Sequence, residues 1–120
     1  MKDADFEIKF YENILRRNPN FVEALTALGD LYTKAGRYED GLKVDQKLAL
    51  LQPDDPLVFY NLACSYSLLR QIGNAFDAIK KAIDAGYDNL GYLEKDTDLD
   101  NLRHDGKFQK YFELLKERKR

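Results

Sequence analysis

The sequence predicts an all-α fold of stacked antiparallel helical hairpins, an alpha-alpha superhelix, closed by a C-terminal capping helix. Three observations carry this expectation. The chain is self-similar at a shift of 34 residues, its apolar residues recur at helical spacing, and Pro19, Gly36 and Pro53 interrupt the stripes. The 120 residues leave room for one domain and one core. At 44% apolar and 33% charged, the composition is that of a folded chain and excludes disorder as the whole account. A formal charge of −2 provides no overall positive field for nucleic acid or an anionic membrane.

The first helix is expected from about Asp3 to Arg17, ended by Pro19. A hairpin follows from about Phe21 to Leu51. Its first arm carries Leu25, Leu28 and Tyr32, Gly36-Arg37 breaks the pattern, and its second arm carries Tyr38, Leu42, Val44, Leu48 and Leu51. A second hairpin is expected from about Asp55 to Ala85. Its Phe59, Leu62, Ala63 and Tyr66 lie 34 positions after Leu25, Leu28, Gly29 and Tyr32, and Gly41 maps to Ala75, Leu48 to Ala82 and Pro19 to Pro53. Ile8, Phe10, Ile14 and Leu15 map to Leu42, Val44, Leu48 and Ala49, so the first helix reads as the second arm of an earlier hairpin. A glycine inside a helix costs about 1 kcal/mol relative to alanine. Gly29 and Gly41 are therefore expected where two helix backbones approach closely.

The spacing Leu25, Leu28-Gly29, Tyr32, Gly41, Leu48, Pro53 resembles the tetratricopeptide repeat (TPR), and Phe59, Leu62-Ala63, Tyr66, Ala75, Ala82 repeats it. Tyr87 stands where a closing proline belongs, with Gly86 available as a C-cap. The resemblance implies a single TPR-like domain over 1–120. Residues 1–21 form the helix of a partial upstream repeat, 22–55 and 56–89 two repeats, and 90–120 a capping segment and helix. The register fails after Asn89. Beyond it, the stripe Phe108, Tyr111, Phe112 and Leu115 behind Asp105 as N-cap is expected to cover the last open face.

In that family the first arm of each hairpin turns one face into a concave groove that holds protein segments. The resemblance therefore implies a non-catalytic interaction module with a protein or peptide partner. Its groove would be lined by Thr26, Asp30, Lys34, Tyr60, Asn61, Cys64, Ser67 and Leu68, with Glu23, Ala27, Thr33 and Leu57 on the same faces. One subset of the family grips a terminal carboxylate with lysine and asparagine. Asn61 matches one of those positions, but Thr26 and Asp30 occupy places where a lysine and an asparagine belong, and Asp30 repels a carboxylate. Two alternatives stand beside this reading. One is a scaffold or self-associating module whose groove is filled by its own chain. The other is a cysteine-dependent enzyme using the groove as active site, with Cys64 as nucleophile and His104 or a tyrosine in support.

No cofactor or metal is expected. Asp96, Asp98 and Asp100 alternate as in a calcium loop, but Asn101 replaces the turn glycine and Lys107 the bidentate glutamate. His104 is the lone histidine and Cys64 the lone cysteine. A single cysteine and a charged opening over residues 1–5 predict a cytoplasmic chain, and the uncharged run from Pro56 to Leu69 is too short to cross a membrane. The basic ending, Lys116 to Arg120, fits a helix C-terminus. Phe6, Phe10 and Ile14 lack an upstream hairpin to cover them, an open edge suited to a homodimer through the N-terminal helix.

Overall fold

The computed structural model describes residues 2–118, so the first residue and the final Lys119 and Arg120 of the basic ending lie outside the described residues. The described residues form helices α1 (Lys2–Arg17), α2 (Val22–Lys34), α3 (Tyr38–Leu51), α4 (Pro56–Leu68) and α5 (Ile72–Asp84), with no strand. Three short elements follow: α6 (Leu90–Lys95), a 3₁₀ turn (Thr97–Leu99) and α7 (Asp100–Arg103). Helix α8 (Gly106–Arg118) completes the chain. Each long helix packs on the next, α1 on α2 through to α4 on α5, while α4 also meets the 3₁₀ turn and α7. The stack measures 46 × 28 × 21 Å with a radius of gyration of 15.0 Å, more elongated than the roughly 14 Å of a sphere-like domain this long.

The 34-residue period is visible in backbone and side chains alike. Gly36 (φ 79°) and Arg70 (φ 62°) are 34 apart, and both occupy the left-handed region just past a helix. In each case the next N–H reaches back five residues, Arg37 to the Tyr32 carbonyl at 2.8 Å and Gln71 to that of Tyr66 at 2.9 Å. Gly86 (φ 118°) ends α5 the same way, with the Tyr87 N–H on the Ala82 carbonyl at 2.9 Å. Arg70 carries a side chain where the first hairpin has glycine. Arg70→Gly is therefore expected to raise the unfolding free energy by about 1 kcal/mol, as read from urea titration. An unchanged midpoint would contradict this account of the turn.

Gly29 and Gly41 sit at the expected close approach of α2 and α3. A Cβ on Gly29 would lie 3.1 Å from Asp45 Oδ1 and 3.3 Å from Val44 Cγ1, and one on Gly41 would lie 3.2 Å from Thr33 Oγ1. Their counterparts Ala63 and Ala75 are fully buried. Each repeat tyrosine also bonds to the preceding helix. The Tyr32 hydroxyl donates to Glu12 at 2.5 Å, and the Tyr66 hydroxyl accepts from Gln46 Nε2 at 3.2 Å, Glu12 and Gln46 again being 34 apart. Burial, then the Glu12 carboxylate, pushes the Tyr32 hydroxyl up to about 12.

Two apolar clusters form the core. Ile8, Leu25, Leu28, Tyr32, Val44, Leu48 and Val58 join α1 to α4. The second cluster joins α4 and α5 to the C-terminal segment, where Leu93, Leu99 and Leu102 are wholly buried. Asp105 caps α8, its Oδ2 accepting from the Phe108 N–H at 3.0 Å, and the helix buries Phe108, Phe112 and Leu115. Phe10 of α1 is exposed, as expected of a helix with no upstream hairpin to cover it. Leu51 departs from expectation: it is exposed although Val44 and Leu48 of the same stripe are buried, because it ends its helix.

Candidate partner-binding groove

Helices α2 and α4 and residues 86–98 surround an open groove of about 890 Å³. Helix α2 contributes Thr26, Ala27, Asp30 and Thr33 because these positions lie opposite its buried Leu25, Leu28 and Tyr32. Helix α4 contributes Leu57, Tyr60, Asn61 and Cys64, and is capped by Asp55, whose carboxylate accepts from the Leu57 N–H at 2.9 Å. The facing wall holds Tyr87, Asp88, Tyr92, Asp96 and Asp98.

Five of the eight residues expected in the groove line it: Thr26, Asp30, Tyr60, Asn61 and Cys64. Three do not. Lys34 lies outside the lining, its ammonium 2.9 Å from Asp30 Oδ2 in an exposed pair. Ser67 is wholly buried, because α7 packs over the end of α4; its Oγ accepts from the Leu102 N–H at 3.2 Å and its carbonyl from Asn101 Nδ2 at 2.9 Å. Leu68, next to it, is half-buried and also outside the lining.

Tyr60 has a different place from the exposed contact the sequence suggested. It is only 4% exposed, its hydroxyl donates to Asp96 Oδ2 at 2.7 Å, and its ring stacks on Tyr87 with centroids 4.5 Å apart. Burial, then Asp96, raises its hydroxyl pKa strongly. Tyr92, 55% exposed, extends the aromatic face at 6.1 Å from Tyr60. Sequence reasoning missed Tyr87, Tyr92, Asp96 and Asp98 as groove residues because they lie past or at the end of the repeat register. The one available signal was Tyr87 in the place of a proline.

It also missed Asp45, which lines the floor of the groove from α3 and is 6% exposed. Ser65 Oγ donates to its Oδ2 at 2.5 Å. Burial pushes the Asp45 carboxyl up to about 6, with the Ser65 bond pulling the other way.

Of the enzyme alternative, Cys64 and His104 are not brought together, while Tyr60, Tyr87 and Tyr92 share the groove with Cys64. Cys64 is 8% exposed with Sγ 3.8 Å from Asp96 Oδ2, whereas His104 is exposed and its Nδ1 lies 2.7 Å from the Asp100 carbonyl oxygen. Burial first, then the carboxylates of Asp96, Asp98 and Asp45, pushes the Cys64 thiol well above its ordinary range. Such a thiol is a packing group rather than an activated nucleophile. The alternating aspartates also have local work. Asp96 accepts from the Asp98 N–H at 3.0 Å and Asp100 pairs with Arg103. Among the described residues no group of three or more acidic, histidine or cysteine side chains could hold a metal ion.

Stacked hairpins around an open groove define a helical-repeat protein-interaction module. Residues 10–43, from α1 through α2 into α3, match the tetratricopeptide repeat model, so this stretch is similar to one such repeat. Over 75 residues it is 31% identical to a chloroplastic protein of Arabidopsis thaliana, an alignment covering 60% of this chain and 22% of that protein. Over 56 residues it is 36% identical to Superkiller protein 3 of Schizosaccharomyces pombe (strain 972 / ATCC 24843), covering 47% and 4%. Over 72 residues it is 36% identical to the Protein CTR9 homolog of Arabidopsis thaliana, covering 60% and 6%. The chain thus spans less than a quarter of each of these relatives. A crystal structure of MamA superposes with a TM-score of 0.72 at 26% identity, covering 86% of this chain and 58% of that one. MamA 41-end from Desulfovibrio magneticus RS-1 shares the fold at a TM-score of 0.70 and 22% identity, covering 97% and 68%. Among the described residues no helix is long and apolar enough to cross a membrane.

Proposed function

We propose that the chain is a non-catalytic module that holds a segment of a partner protein in the groove between α2, α4 and α6. The observation that carries this reading is the open groove itself, since the C-terminal segment builds one wall and leaves about 890 Å³ unfilled. Leu57 and Tyr92, 60% and 55% exposed, offer apolar contact, and exposed Asn61 offers hydrogen bonds. Tyr60 braces the wall from behind through Tyr87 and Asp96.

Photo-crosslinking tests the assignment. A benzophenone amino acid replacing Asn61 is expected to capture the partner, whereas the same group replacing Asp77, exposed on α5, is not. Capture from Asp77 alone would contradict it. A second contact is favoured by Phe6 and Phe10, 72% and 51% exposed on α1, which support pairing of two copies through that helix; sedimentation over a concentration range reads it. A cytoplasmic setting rests on the lone Cys64 and stands beside a chloroplast relative.

A further inference from the structure

We propose that the occupant of the groove is a positively charged peptide segment, with arginine or lysine side chains set between Asp30 and Asp98 and against the exposed ring of Tyr92. The inference rests on the groove reading above and adds the chemistry of the partner. Five aspartates line the groove, Asp30, Asp45, Asp88, Asp96 and Asp98, and no lysine, arginine or histidine does. The whole chain carries a formal charge of only −2, so this negative charge is concentrated in the groove.

Geometry separates a cationic chain from a single metal ion. Among the described residues the carboxylates never converge as a metal-holding group. They are spread around an open groove, an arrangement suited to several cations along a peptide. The aromatic face adds a second component, because a guanidinium within about 6 Å of a tyrosine centroid is attracted to the ring face. Asp45 adds a third. It lines the groove at 6% exposure with the Ser65 hydroxyl as its hydrogen-bond partner, and it forms no ion pair among the described residues. Buried charges are ordinarily paired, and a bound cation would supply what the fold does not. The nearby Lys34 pairs, among the described residues, with Asp30 in an exposed contact that solvent and salt screen. Asp98 is raised by burial and then by Asp96, Asp30 and Asp100, repulsion that a cation relieves and an acidic peptide worsens.

The test is fluorescence anisotropy with a fluorescein-labelled decapeptide alternating arginine and alanine, beside a counterpart with glutamate for arginine. The arginine peptide is expected to bind, and to weaken by about tenfold or more between about 50 mM and about 500 mM salt. Asp30→Asn with Asp98→Asn is expected to weaken it about tenfold, and Asp30→Asn with Asp88→Asn, both exposed, to act in the same direction should the first pair disturb folding. Asp77→Asn with Asp84→Asn on α5 removes equal charge away from the groove and is expected to change affinity less than about twofold. Equal losses from both faces, or no loss from the groove pairs, would overturn the proposal. Asn61→Trp separates the two readings. If the glutamate peptide binds and Asn61→Trp blocks it, the groove reading stands and the cationic partner is wrong. If the arginine peptide binds and neither Asn61→Trp nor the groove charge variants affect it, both fall.

Discussion

Replacing Phe108 with alanine is expected to lower the unfolding free energy by about 3–5 kcal/mol, the range for large aromatic deletions in packed cores. Phe108 is 1% exposed, edge-on to Phe76 at 5.8 Å and stacked on Phe112 at 5.6 Å. The surrounding helices have little freedom to close the hole, since Leu93, Leu99 and Leu102 of the same cluster are already fully buried. The loss also reaches function, because this cluster includes Tyr60 and Tyr87 of the groove wall. Hydrogen exchange in residues 90–103 is expected to quicken in the variant. Leu114→Ala, at a site 59% exposed on the same helix, is expected to stay within about 0.5 kcal/mol of the parent. A Phe108→Ala loss below about 1 kcal/mol would mean that α8 is not docked.

Asp45→Asn is expected to act in the opposite direction, stabilising the fold by about 3 kcal/mol near pH 8. Folding raises this carboxyl from 3.8 to about 6 because burial penalises its charge. A raised folded pKa contributes stability that is fully present below the unfolded value and lost as pH rises through about 6. Each unit is worth about 1.4 kcal/mol, which gives the expected penalty for ionised Asp45 at neutral and higher pH. Asparagine keeps an acceptor for the Ser65 hydroxyl and removes the charge. The advantage over the parent should therefore shrink as pH falls toward about 4, as read from urea unfolding at several pH values. An advantage of constant size across that range would show that the charge is not its source.

The five long helices and α8 were legible because period and punctuation agree. Leucines and tyrosines recur at helical spacing, and Gly36, Pro19 and Pro53 mark the breaks. The same shift of 34 located the glycine and alanine contacts and the repeat tyrosines, all of which are local properties of a hairpin. Residues 90–103 were not legible. Leu90, Leu93, Leu99 and Leu102 fall on elements of six, three and four residues, too short to display a period, although the last three are fully buried.

That gap explains the partial reading of the groove. The face of α2 follows from helix geometry alone, so Thr26 and Asp30 were recoverable. The fate of α4 depends on which segment lies over it. The 86–98 wall converts Tyr60 from a contact into a brace, and α7 takes Ser67 out of the groove. Asp45 was unreadable for a related reason. A charged residue inside an apolar stripe reads as solvent-facing until the neighbouring hairpin covers it with Ser65.

Isotope-filtered NMR of the labelled chain with the unlabelled arginine decapeptide tests the central claim most directly, because it reports which protons touch the peptide. The account predicts contacts from the arginine methylenes to the Tyr92 ring and the Leu57 methyls, on the two sides of the groove. Contacts confined to Phe6 and Phe10 of α1, or to the outer face of α5, would contradict it.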